Sequence, residues 1–151
     1  MDKKKVKRTF ILAGRLIDGI SDKVEENQAI TIEDGRVSEI SRITSALWEL
    51  EKTSHGEIQI VDARDKTVLP GLINGHCHLC FSASSHPTED VFKDDETILA
   101  FRSQQHCAEA LAVGVTTVRD CGSYGQIVLK LREAVGKGSV RGSRVVSCGR
   151  P

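Results

Sequence analysis

From Thr67 onward the chain repeatedly exchanges one hydrophobic period for another, and this alternation restricts its fold more than any other feature. Val68-Leu69-Pro70-Gly71-Leu72-Ile73 is a near-continuous apolar run, the pattern of a strand buried on both faces of a parallel sheet. Pro70 must then sit at a bulge or at the strand's start. Asp94 and Asp95 open a helical stretch in which Ile98, Phe101, Ala108 and Leu111 share one face, and Gly114 supplies its C-terminal cap. Val115-Thr116-Thr117-Val118 is a β-branched strand. Gln126 to Val135 forms a second helix, with Ile127, Leu131 and Val135 at i, i+4 and i+8 and Gly136 after it. Arg144-Val145-Val146-Ser147-Cys148 is a third strand. Strand, helix, strand, helix, strand implies parallel strands joined by right-handed crossovers, an α/β arrangement.

The first third reads as β. Thr9 to Leu16 is apolar and branched and stops at Ile17-Asp18-Gly19. Ala29 to Glu33 alternates towards Asp34-Gly35, and Arg36 to Ile40 alternates away from it. Asp-Gly between two such runs predicts a hairpin with a type I′ turn, which needs positive φ at both central residues. Residues 42 to 57 look irregular, with Trp48, the single tryptophan, expected to anchor the connection. A short strand is expected at Ile58 to Val61, and Asp62-Ala63-Arg64-Asp65 is expected to turn the chain.

Composition excludes several classes of function. No apolar run approaches the ~18–20 residues of a membrane span. The 21 basic and 21 acidic residues balance, which argues against nucleic-acid binding. Lys3, Lys4, Lys5, Lys7 and Arg8 concentrate basic charge at the start, where no aromatic residue interleaves them and a solvated terminus is expected. Without that stretch, 16 basic residues face 20 acidic ones. Five cysteines at irregular spacing, without a secretory signal, favour reduced thiols and a cytoplasmic location.

The chemistry concentrates in Gly75-His76-Cys77-His78, at the end of the first parallel strand. Strand side chains alternate, so His76 and His78 point one way and Cys77 the other. Two imidazoles about 6–7 Å apart along a strand can converge on one cation, and neutral imidazole is a common ligand of zinc and similar metals. The carboxyl ends of parallel strands are also where α/β folds bind their ligands. A competing reading takes Cys77, His78 and Cys80 as a structural zinc knot, but no second ligand pair stands at suitable spacing. His55 in the irregular connection, His86 in a loop and His106 on a helix are not expected to be ligands. Residues 79 to 94, with Ser82, Ser84, Ser85, His86 and Glu89, read as a long loop, either a substrate-contacting lid or a mobile connection. Arg119 and Asp120 end the second strand, where Arg119 is expected to pair with a neighbouring carboxylate.

Taken together, Asp34-Gly35-Arg36-Val37, Val68 to His78 with its P-G-L-I-x-x-H-x-H element, and Gly114-Val115-Thr116-Thr117-Val118-Arg119-Asp120 resemble the start of a metal-dependent amidohydrolase of the imidazolonepropionase-like and Xaa-Pro dipeptidase-like branch. Asn74 departs from the pattern, which more often has Asp there. The resemblance implies a (β/α)8 barrel (TIM barrel) preceded by an N-terminal β-sandwich segment, residues 1–66 belonging to the sandwich and 67–151 to the barrel. It implies His76 and His78 as ligands of a divalent metal, zinc foremost, in a site of one or two ions. It also implies hydrolysis of amide, cyclic amide or dipeptide C–N bonds in a small-molecule substrate, and it leaves homo-oligomerisation open. The general base and the remaining ligands are expected beyond residue 151, and no substrate-binding residue is assigned. A barrel takes about 250 residues, about 31 per unit, so residues 67–151 amount to about three units. The 151 residues are therefore expected to be an N-terminal fragment, inactive and poorly folded alone. Two other readings are a non-catalytic scaffold that keeps the amidohydrolase fold and a small stand-alone metal-binding domain.

Overall fold

A computed structural model describes residues 8–53 and 58–149 and divides the chain into two compact units, residues 1–70 and 71–151. The lysines at positions 3, 4, 5 and 7, together with His55, lie outside the described residues.

In the first unit, β1 (Arg8–Leu16), β2 (Glu25–Glu33), β3 (Arg36–Arg42) and β4 (Ile58–Val68) form one sheet in the order β3-β2-β1-β4. Pairing is antiparallel except between β1 and β4. The hairpin expected at Asp34-Gly35 forms as its chemistry requires, with φ of 49° and 73° at the two residues. Central β1 is buried on both faces. Phe10 and Leu12 pack with Ala29, whereas Ala13 and Leu16 pack with Ile30.

Two expectations fail here. The stretch called irregular contains helix α1 (Ala46–Thr53); the side chain of Trp48 lies outside what is described. Asp62 to Asp65 does not turn the chain, because β4 runs through it as one 11-residue strand paired to β1. Arg64 donates to both carboxylate oxygens of Asp62, at 2.9 and 2.8 Å, so this polar stretch closes its own charges within an extended backbone.

The second unit is α/β. Strands β5 (Leu72–Cys77), β6 (Val115–Asp120) and β7 (Arg144–Ser147) form a parallel sheet in that order. Helices α2 (Pro87–Lys93) and α3 (Glu96–Ala112) connect β5 to β6, and α4 (Ile127–Gly136) connects β6 to β7. The apolar run at 68–73 proves to be two elements, since Val68 ends β4 and Leu72 begins β5 after Pro70-Gly71. It is not buried on both faces either, with Leu72 51% and Ile73 73% exposed.

Helix α3 starts where the sequence indicates. The carboxylate of Asp95 accepts from the Thr97 and Ile98 amides, at 2.7 and 3.0 Å, and so caps the helix. Its core face is a different one from that marked by Ile98, Phe101, Ala108 and Leu111. Leu99, Ser103 and Cys107 are the buried residues, and Ile98 and Phe101 are exposed. A serine at the centre of this face hides the pattern. Its Oγ donates back to the Leu99 carbonyl at 2.8 Å, which lets a polar residue occupy a core position. On α4 the expected face holds, with Ile127 buried beside Cys80 and Leu99, and Leu131 buried with Cys107 and Val118, where Val135 also packs. No helix among the described residues is long and apolar enough to cross a membrane.

Candidate metal centre

His76 is the penultimate residue of β5, and His78 follows the strand's last residue. Alternation places them together, with ring centroids 5.3 Å apart at an interplanar angle of 73°. Cys77 points to the other side, as alternation requires. It packs against the cluster of Leu79, Cys107 and Val118, and burial pushes its thiol up to about 11, the Asp120 carboxylate adding to the effect.

Each histidine is held by its own neighbourhood. Asn74 Oδ1 accepts from the His76 amide at 3.1 Å, so the residue that departs from the family pattern still fixes the backbone of the first ring. His78 Nδ1 lies 3.0 Å from the Gly122 carbonyl. A carbonyl only accepts, so Nδ1 carries the proton and the Nε2 lone pair is left for a ligand. Gly122 presents that carbonyl at φ 146°, a conformation that side chains disfavour. Phe81 stacks on the His78 ring, with centroids 4.8 Å apart.

Asp120 braces the strand ends beneath this pair. Fully buried, it accepts from the Leu79 amide at 3.0 Å and from Ser147 Oγ at 3.4 Å. The Cys121 amide donates to the Cys77 carbonyl at 2.8 Å, and the Cys148 amide to the Asp120 carbonyl at 3.1 Å. Asp120 thus ties the residue after His78 to the ends of β6 and β7. Alternation could have suggested its inward orientation, but a lone carboxylate at a strand end does not announce a backbone partner 41 residues away.

The other residues singled out in the sequence do not join the histidine pair as donors. Cys80 is buried among Val91, Leu99 and Ile127, a different cluster from that of Cys77, so the zinc-knot residues are not drawn together. His106 lies on α3 with Nδ1 3.0 Å from the Leu79 carbonyl. His86 precedes α2, exposed, 3.7 Å from Glu89. Among the described residues Arg119 has no carboxylate partner. Its guanidinium lies 2.9 Å from Cys121 Sγ and 3.4 Å from the Gly75 carbonyl, because Asp120 points to the opposite side of the strand. The stretch expected to be a loop is half helix, and Ser82 and Ser84 both donate to Asp90 of α2 at 2.6 Å. These bonds hold the Asp90 carboxyl below its ordinary range.

No group of three or more potential metal-binding side chains occurs among the described residues. The donor set suits a borderline cation such as zinc in chemistry, two neutral imidazoles with one tautomer fixed, but supplies only part of a coordination shell.

Residues 67–149 match the amidohydrolase family. An imidazolonepropionase of Clostridium tetani is 38% identical over 58 residues, covering 38% of this chain and 13% of that protein. A 5'-deoxyadenosine deaminase of Methanosarcina barkeri is 27% identical over 133 residues, covering 74% and 27%. Among solved structures, a Xaa-Pro dipeptidase with bound methionine superposes with a TM-score of 0.78 at 33% identity, covering 95% of this chain and 34% of that one. The chain thus spans about a third or less of the length of these relatives.

Proposed function

The chain belongs to the amidohydrolase family, and from that premise we propose that it supplies the first part of a metal-dependent hydrolase of carbon–nitrogen bonds, with His76 and His78 as two ligands of one divalent metal, zinc foremost. The observation that carries this reading is the tautomer imposed on His78. With Nδ1 engaged by Gly122, Nε2 is free beside a second imidazole at the carboxyl end of a parallel strand. In this reading β5, β6 and β7 are the first three strands of a (β/α)8 barrel, the first unit is part of an N-terminal β-sandwich, and the protein works in the cytoplasm. The general base and the remaining ligands come from polypeptide outside these 151 residues.

A divalent metal, when bound, polarises a carbonyl and makes a coordinated water acidic near neutral pH. The chain's own residues prepare for it. The Gly122 carbonyl holds the proton on Nδ1 of His78, Asn74 fixes the His76 backbone, and Asp120 keeps the turn after His78 against β6. Phe81 covers one face of the His78 ring and keeps water from it.

The experiment is hydrolysis of amide, cyclic amide and Xaa-Pro dipeptide panels by the zinc-loaded protein expressed from its complete reading frame, beside His76→Asn and His78→Asn. Turnover in the parent and a fall of about a thousandfold in each folded variant is expected, because several kcal/mol of charge stabilisation is lost. Equal turnover in all three proteins contradicts the proposal. The 151-residue chain alone is expected to show no turnover.

A further inference from the structure

Two segments of the second unit line an open pocket of about 480 Å³ against the side of His78. One wall comes from the segment after β5, with Phe81 and, on α2, Val91 and Phe92. The other comes from the segment between β6 and α4, with Ser123 and Tyr124. Phe92 and Tyr124 meet edge-on across the two walls, with centroids 6.2 Å apart at 88°. No Asp, Glu, Lys or Arg lines the space. Ser123 is 5% exposed, and its Oγ has no hydrogen-bond partner among the described residues.

The volume lies in the range of small-molecule sites, and an uncharged, aromatic-lined space disfavours any charged group, which would lose its hydration there without compensation. Phe81 joins the cavity to the candidate metal centre directly, since the ring that stacks on His78 is also part of the wall. A group held here therefore sits beside whatever the histidines hold.

We propose that this cavity is the specificity subsite of the enzyme, and that it takes a large, uncharged apolar substituent, aromatic or branched aliphatic, next to the bond being hydrolysed. The assignment rests on His76 and His78 forming the reactive centre, but occupancy of the cavity depends only on residues of these two segments. The substrate class that follows is a C–N compound with a bulky hydrophobic group, in preference to one with a small or charged group at that position.

Tyr124 is the single tyrosine of these 151 residues, and in the protein expressed from its complete reading frame 3-fluorotyrosine incorporation with a Tyr124→Phe control assigns the fluorine resonance of the cavity wall. The full chain, free of metal, is titrated with N-acetyl-L-phenylalaninamide and with its glycine and glutamate counterparts. Saturable movement of the fluorine resonance by the phenylalanine probe is expected, with affinity at least about tenfold above that of the other two, in line with what one apolar group contributes in a hydrophobic pocket. Thr88→Trp fills the cavity from its rim, and Phe92→Ala removes a wall residue that is 74% exposed and so dispensable to the fold. Each should weaken the phenylalanine probe about fivefold or more. Equal affinity for the three probes, or undiminished binding in Phe92→Ala, overturns the subsite. Failure of the metal reading shows elsewhere, as Co²⁺ binding that survives loss of both histidines, and leaves this titration unchanged.

Discussion

The central strand of the first unit and the first strand of the second carry similar apolar content and meet opposite fates. In β1, Leu12 and Ala13 point to opposite faces and both are wholly buried, because β2 and β4 flank the strand and each face has its own cluster. In β5, which has only β6 beside it, Leu72 and Ile73 stay half to three-quarters exposed, while Cys77 at its end reaches the core. Burial of a strand is a property of the layers around it, and an apolar run records only that a cover is wanted. In the proposed barrel, a further strand would pair with the free edge of β5, opposite β6.

The contrast can be broken by mutation, with the largest effect in β1. Leu12→Ala should destabilise the first unit by about 3 kcal/mol, the usual result of a large-to-small change in a closed core, measured by urea unfolding followed by far-ultraviolet circular dichroism. In the second unit the polar brace should matter more than the exposed strand. Asp120→Ala strands the Leu79 amide and should cost about 2 kcal/mol, read from the fluorine signal of labelled Tyr124 during unfolding, whereas Asp120→Asn keeps an acceptor and should cost less. Loss of the α3 cap in Asp95→Ala should cost about 1 kcal/mol by the same measurement. Ile73→Ala, at an exposed position, should change stability by no more than about 0.5 kcal/mol. A loss at Ile73 as large as that at Leu12 would remove the distinction between the two strands.

Cys77 sharpens the same contrast through pH. Its folded-state thiol sits at about 11 against an ordinary value of 9.0, so folding favours the protonated form. That contribution is complete below about 9 and is lost as pH rises towards about 11, because the unfolded chain releases the proton first. Stability of the second unit should therefore decline across that window. Cys77→Ser should flatten the decline.

The sequence makes legible what one residue's immediate neighbours decide. The Asp34-Gly35 turn, the Asp95 cap and the opposed directions of Cys77 and the histidine pair follow from backbone geometry alone, and the structure has each of them. The errors lie where a distant partner decides. Asp62 and Arg64 look like turn residues until β1 pairs with them, and Ser103 looks like a surface residue until its hydroxyl returns to Leu99. Arg119 looked ready for a carboxylate, but the carboxylate beside it in sequence serves the Leu79 amide on the other face. Around the candidate site, the histidine pair was legible because two residues apart on a strand means one face. The Gly122 carbonyl that fixes the His78 tautomer lies 44 residues on, and no local pattern reports it.

The central claim is that His76 and His78 hold one divalent metal, and Co²⁺ titration of the protein followed by visible absorption tests it most directly. Saturation at one ion per chain is expected, with each of His76→Asn and His78→Asn weakening the affinity by at least about tenfold and the double variant abolishing the ligand-field band. An unchanged titration in the double variant would contradict it.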